Sequence, residues 1–208
     1  QSSAREVAEQ ITALGRRAAT VKADVSEPED ILSMAAFVGK EFGKIDIVVS
    51  NAASGGFRHV MDATPKHFEA AMKTNVQALM LLAQACVPWM TDESHRRKII
   101  ALSSHGSHLA LPAYGLIGAS KAALDSMTKS LARALAPDIR VVSVSPGLVD
   151  TDFVKGLDQR WRDEQAARTP LRRLASPEEI AAAVLCVATV LRYSTGCIIP
   201  VDGGRPLA

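Results

Sequence analysis

The sequence predicts an α/β domain: a doubly wound parallel sheet covered by helices in three layers. Three observations lead there. Short apolar runs at 45–49, 98–102, 140–145 and 197–201 alternate with stretches of helical periodicity. Each run is dominated by apolar residues without a strict polar alternation, as expected of strands covered on both faces. The residues that carry chemistry fall at the ends of these runs or just past them, and such sheets bind ligands outside the carboxyl ends of their strands.

The elements follow in order. Residues 1–14 read as a helix, with Val7, Ile11 and Leu14 spaced by four and three, and Gly15 ending it. Residues 18–23 form a strand candidate that ends at Asp24. Ser26 is an N-cap with Glu29 completing a capping box. That helix runs to about Phe42, with Ile31, Met34, Ala35 and Val38 on one face, and Gly43 stops it. After strand 45–49 come turn residues 51–56. Thr64 and Pro65 open a long helix to about Met90, Thr as N-cap and Pro at the first position. Strand 98–102 leads into the segment 103–121 and a helix to about Ala136. Strand 140–145 breaks at Pro146-Gly147, and 150–168 is a charged helical excursion. Ser176-Pro177-Glu178-Glu179 starts a helix to about Leu191, and 197–201 is the last strand. No repeat, low-complexity stretch or linker interrupts the 208 residues, enough for one substantial core.

Composition narrows the function. Hydrophobic content of 48% and charged content of 22% are ordinary for a soluble globular protein. A net charge of +2 gives no argument for nucleic acid. Cys86, Cys186 and Cys197 lie far apart, which points to a reducing compartment and to neither a disulfide framework nor a metal site. The longest apolar run, 180–191, is too short to span a membrane, and the N-terminus carries no signal pattern. The expectation is a cytoplasmic protein.

The stretch SSHGSHLALPAYGLIGASK, 103–121, organises the rest. Six residues separate Tyr114 from Lys121. A step of seven returns a helical side chain almost to the same face. An ammonium beside a phenol favours the phenolate, so the Tyr114 pKa is expected below its usual value of about 10. Ser104 adds a second hydrogen bond there. By itself the pair also describes a packing tyrosine and a solvated helix lysine; its surroundings argue otherwise.

Ser104, Tyr114 and Lys121, with Asn51-Ala52-Ala53 before them and Pro146-Gly147-Leu148-Val149-Asp150-Thr151 after, resemble the short-chain dehydrogenase/reductase superfamily, in order and over essentially the whole chain. The usual Tyr-x3-Lys spacing would put tyrosine at 117, where this chain has Ile117. The Tyr-x6-Lys spacing, together with NAASGGFRHVMD and VDGGRPL, resembles the type III enoyl-acyl-carrier-protein reductase branch.

The resemblance implies one Rossmann-like NAD(P)-binding domain over 1–208 and NADPH or NADH as cofactor. It implies that Asp24 hydrogen-bonds the adenine and Val25 packs on it, although on sequence alone Asp24 serves equally as a helix-capping turn. Asn51, Ala52 and Ala53, the last replacing a family glycine, would support the sheet and line the cofactor. In the loop Pro146-Gly147, Val149 and Thr151 would contact the carboxamide. Lys121 would bind the ribose hydroxyls and tune Tyr114. Asn75, a poor helix former deep in a helix, would relay protons through water to Lys121. The family's glycine-rich turn and first strands are missing, and the expectation is that a preceding segment is omitted, so that NADH and NADPH are not distinguished.

His105 and His108 read as surface or gap-filling residues. Tyr193 has no lysine at helical spacing. Helices 71–90 and 118–135 are apolar nearly all round, with small residues at Gly118, Ala119, Ala122 and Ala123. By resemblance they join a homotetramer. Residues 150–173 include Lys155, Arg160, Arg162, Arg168, Arg172 and Arg173 against Asp158, Asp163 and Glu164. This is a solvated face, or a lid that attracts an acidic carrier protein or a coenzyme A phosphate.

Three functions remain in view: reduction of an enoyl thioester, carbonyl reduction or alcohol oxidation on the same fold, and a non-catalytic binding member.

Overall fold

In the computed structural model, which describes residues 2–92 and 97–207, helices and strands alternate along most of the chain. In order they are α1 (Ser2–Ala13), α2 (Pro28–Phe42), β1 (Ile47–Ser50), α3 (Pro65–Met72), α4 (Ala78–Cys86), β2 (Lys98–Leu102), α5 (Gly115–Leu135), β3 (Arg140–Pro146), α6 (Asp152–Lys155), α7 (Gln159–Ala167), α8 (Pro177–Thr189) and β4 (Ile198–Val201). The four strands pair in parallel in the order β1-β2-β3-β4. Val49 lies beside Ile100, Ile100 beside Val142, and Val144 beside Ile199.

The period of two along each strand builds the three layers. Val48, Ile99, Ala101 and Val141 pack into one core with Ile31 and Ala35 of α2, Leu79 and Leu82 of α4 and Leu124 of α5. Their neighbours Ile100, Leu102, Val142 and Val144 face the other way, onto Val187 and Ala188 of α8. The central strands β2 and β3 are mostly apolar because both of their faces are covered, whereas Ile47 and Val49 of β1 are exposed on one side. No helix among the described residues is long and apolar enough to cross a membrane.

The structure differs from the sequence expectation in three places. Residues 18–23 join no ladder. A strand exists only through its partner, and apolar character at 18–23 cannot supply one. Helix α2 starts at Pro28 with Glu27 as its cap. Ser26 is used up one step earlier: its N–H and hydroxyl both donate to Asp24 Oδ1, at 2.9 and 2.7 Å. The helix expected to run unbroken to Met90 carries a wide π turn at Lys73–Gln77 between α3 and α4. By contrast Ser176 caps α8 as expected, with Glu179 N–H donating to its Oγ and its own N–H donating to Glu179 Oε2. Helix α1 keeps its periodic stripe, but Val7, Ile11 and Leu14 are exposed.

One close contact sets the spacing of α2. A Cβ on Gly39 would lie 2.1 Å from Trp89 Cδ2, inside the indole ring. Alanine is the better helix former by about 1 kcal/mol, yet overpacking costs about 1–3 kcal/mol. Gly39→Ala is therefore expected to lower the urea midpoint. A raised midpoint would mean that helix propensity outweighs the contact.

Candidate active site

Beyond the carboxyl end of β2 the chain turns sharply. Ser104 is extended, and its Oγ accepts from Gly106 N–H at 3.1 Å, closing one turn of 3-10 helix over His105–Ser107. Residues 109–113 then lead into α5. Ala113 sits at φ +57°, a left-handed conformation that costs a non-glycine residue about 1–2 kcal/mol. Its carbonyl accepts from Arg58 N–H at 2.7 Å, which ties the loop after β1 to this corner.

Tyr114 is the next residue and the N-cap of α5. Its hydroxyl donates to Ser104 Oγ at 3.1 Å. The ring packs beside Phe57, centroids 5.9 Å apart and tilted by 45°. Beneath it two glycines are obligatory. A Cβ on Gly106 would come within 2.4 Å of Tyr114 Cε1, and one on Gly118 within 2.6 Å of Gly106 O. The first turn of α5 is thus pressed onto the turn after Ser104.

Lys121 lies two turns into α5 and is 5% exposed. Its ammonium donates to Leu102 O, the last carbonyl of β2, at 2.6 Å. Burial pulls its pKa down to about 8, with Asp125 one turn further along opposing that shift. Tyr114 goes the other way from expectation. Its pKa is raised, because burial of the phenol outweighs the hydrogen bond to Ser104. The seven-residue step presumes that both residues are helical, and Tyr114 stands at the cap, with φ −104° and ψ 3°. The lysine charge is spent on a strand carbonyl.

Asn75 occupies the π turn and is 2% exposed. Its Oδ1 accepts from Ser54 N–H, and its Nδ2 donates to Ser54 O and to Ser120 Oγ, all at 2.8–2.9 Å. The extra residue of the turn aims this side chain between the loop after β1 and α5.

A cavity of about 170 Å³ opens above the Ser104–Tyr114 pair. Of the residues expected at the site it gathers Ser104, Tyr114 and Gly147. Sequence reasoning missed Phe57, Leu111, Trp161, Gln165 and Arg205, which also line it. Trp161 carried a signal: it is the one large aromatic in the otherwise polar α7. His105, read as gap-filling, is buried beside the pair and its pKa is lowered, by burial first, so the ring is neutral. Tyr193 is fully exposed.

The remaining expected residues surround this centre. Pro146 ends β3, and Gly147 N–H donates to Val201 O at 3.0 Å. A Cβ on Gly147 would meet Asp202 Cα at 2.8 Å, so only glycine lets the chain leave β3 there. Val149 pairs with Ala175, and Thr151 caps α6. Asn51, Ala52 and Ala53 form an exposed loop past β1, and Ala53 does not have a positive φ, so alanine fits where the family has glycine. Asp24 is held in its turn with Ser26, while Val25 packs against the core. Within the charged segment Arg162 turns inward, to Asp150 at 2.8 Å and Gln159 at 2.9 Å, and is not on a solvated face. Arg160 is the outward one, 89% exposed beside Glu164.

These features have counterparts in known proteins. The family described as Enoyl-(Acyl carrier protein) reductase matches residues 1–205. L-rhamnose 1-dehydrogenase (NAD(P)(+)) of Sphingomonas sp. (strain SKA58) is 35% identical over 199 residues, 94% of this chain and 78% of that protein. The 1-cyclohexenylcarbonyl-CoA reductase of Streptomyces collinus is 31% identical over 209 residues, 97% of this chain and 73% of that one. The crystal structure of a blue fluorescent protein from a metagenomic library, in complex with NADPH, superposes with a TM-score of 0.91 at 30% identity, over 99% of this chain and 83% of that one. A family match along nearly the whole length, joined to the parallel sheet and the Ser104–Tyr114–Lys121 corner, has one consequence: the chain belongs to the short-chain dehydrogenase/reductase superfamily of NAD(P)-dependent oxidoreductases.

Proposed function

We propose that the protein reduces the carbon–carbon double bond of an α,β-unsaturated thioester with NADPH or NADH. The observation that carries this reading is the neutral phenol of Tyr114, hydrogen-bonded to Ser104 at the base of a largely apolar cavity. Ile117 at the usual tyrosine position, the description of the matched family and the Streptomyces thioester reductase all favour it.

The residues fit a nicotinamide cofactor. Lys121 donates to Leu102 O, so two of its three ammonium protons remain for ribose hydroxyls. Asn51, Ala52 and Ala53 offer exposed backbone past β1; Pro146, Gly147, Val149 and Thr151 border the nicotinamide end, and Asp24 and Val25 the adenine end. When bound, the dihydronicotinamide supplies the hydride that the substrate Cβ accepts.

The chain's own residues do the rest. Because burial keeps Tyr114 protonated, it donates a hydrogen bond to the thioester oxygen as enolate charge develops there, in exchange for the one it gives Ser104. Lys121 adds positive charge behind the site. Asn75 holds the loop after β1 against α5, a positioning role consistent with its fully engaged amide nitrogen. A proton delivered to Cα completes the saturated thioester. Residues 150–173 form the lid, with Arg160 facing an acidic carrier or a coenzyme A phosphate. Three free cysteines fit a reducing cytoplasm. Exposed Ala119 and Ala122 on α5 suit a tight contact between copies, as in a homotetramer.

A second reading has support as well. Ser104 Oγ accepts two hydrogen bonds, leaving its own hydrogen to polarise a ketone, and the Sphingomonas relative is a sugar dehydrogenase. Crotonyl and acetoacetyl thioesters, offered separately while NAD(P)H absorbance is followed, distinguish the two. Turnover of the keto substrate alone removes the first reading.

Tyr114→Phe is expected to cut kcat by about 100-fold or more, the usual range for a lost general acid. Ser104→Ala should cost the enoyl reaction far less than the keto reaction. An undiminished rate in a folded Tyr114→Phe protein removes the mechanism.

The lysine predicts a pH signature. Lys121 sheds its proton near pH 8 in the folded chain against a reference of 10.5. Between those values the unfolded chain holds the extra proton, so this group's contribution makes stability rise with pH across that window. The Lys121 Cε resonance of the cofactor-free protein should titrate near pH 8. The stability of wild type relative to Lys121→Met should increase as pH rises through the same range.

A further inference from the structure

We infer that Arg168 and Arg205 form an anion-recognition site in the substrate cavity, so that the substrate carries a carboxylate or phosphate group as well as its reducible group. The inference rests on the reading above only in taking the cavity over Ser104 and Tyr114 as the substrate site.

The argument begins from charge balance. The residues lining that cavity include two arginines and no aspartate or glutamate. The neighbouring groove between α7 and α8, about 320 Å³, is different. There Arg162 pairs with Asp150 at 2.8 Å, and Arg173 grips both oxygens of Glu179 at 2.6 and 2.7 Å. On the outer face of α7, Arg160 lies beside Glu164. Three arginines of this region thus hold carboxylates, while Arg172 in the same groove donates to the Ala167 carbonyl. Among the described residues Arg168 and Arg205 have none within 4.0 Å. Arg205 Nη1 donates to the Arg168 carbonyl at a long 3.5 Å.

The surroundings do not neutralise this pair. Asp202 is the nearest acid in sequence to Arg205, and its Oδ1 accepts from Gly204 N–H at 2.9 Å. His105, on the cavity wall, feels both Asp202 and Arg205, but its burial leaves it uncharged. Phe57, Leu111 and Trp161 supply apolar lining to the same cavity. The lining therefore combines aromatic and aliphatic surface near Tyr114 with two arginines that have no carboxylate partner among the described residues. Guanidinium matches carboxylate and phosphate oxygens in bidentate fashion, and a half-enclosed site strengthens the contact. The two arginines come from different elements. Arg168 ends α7 in the proposed lid, and Arg205 lies past β4 in the C-terminal turn. An anion held by both would bind the lid to the body of the domain.

The anionic oxygens have two possible sources: the carrier arm of the thioester, or the far end of the acyl chain. Calorimetry on the full-length protein saturated with NADPH separates them, because the cofactor's phosphates are then already accommodated. The probes are 4′-phosphopantetheine against pantetheine, and hexanoate against hexanamide. We expect the anionic member of one pair to bind at least tenfold more tightly than its neutral partner. That preference should vanish in the Arg168→Gln/Arg205→Gln protein and fall in Arg168→Gln, whose exposed position spares the fold. The pair that shows the preference identifies the source. Equal binding within both pairs, or a preference that survives the double substitution, overturns the assignment. Since binding is read without turnover, failure of the enoyl reaction leaves this test intact.

Discussion

The candidate active-site corner depends on one hydrogen bond, from the Lys121 ammonium to the carbonyl of Leu102. Burying an ammonium is costly, and the charge of Asp125 opposes only part of that cost, hence a pKa of about 8. What the bond secures is alignment. It fastens the middle of α5 to the end of β2 and so sets the height at which Tyr114, two turns earlier, meets Ser104, two residues beyond Leu102. The glycines at 106 and 118 allow the approach, and the lysine fixes its register. Strand, turn and helix start behave as one unit because these contacts share the same few residues.

Much of the fold was legible because burial on both faces writes itself into composition. A strand such as β2, buried at every position, is apolar over 99–102 after Lys98, and the run 98–102 was placed to the residue. The cap of α8 was equally plain, since Ser176 and Glu179 satisfy one another locally. Residues 18–23 failed for the opposite reason. Strand formation is a property of pairs, and no single stretch reports whether a partner lies beside it. Ser26 misled because its hydroxyl had a nearer use, in the turn with Asp24.

The site was legible in its identities and less so in its electrostatics. Spacing alone put Tyr114 and Lys121 in one cleft, but the direction of the tyrosine's pKa turned on whether the ammonium faced the phenol or the strand. That is a matter of ångströms. The π turn around Asn75 was not foreseen: a poor helix former marks a weak point in a helix but does not say that the chain will widen there. Arg168 and Arg205 lay inside ordinary-looking sequence. Their lack of acid partners is visible only after folding, when Arg162 and Arg173 nearby have taken up Asp150 and Glu179. The left-handed Ala113 is likewise silent in sequence, since alanine is seldom chosen for such a conformation.

Ile117 and Gly55 carry a last implication. A Cβ at Gly55 would fall 2.4 Å from Ile117 Cγ1, so the bare backbone of the loop past β1 fits the isoleucine as a mould fits its casting. The two positions are 62 residues apart in the 208-residue chain and form a single steric object. A lineage that shifted its phenol between 114 and 117 would have to recast this loop in the same step. The fit binds the two positions to each other, and a larger residue at 55 would need a smaller one at 117.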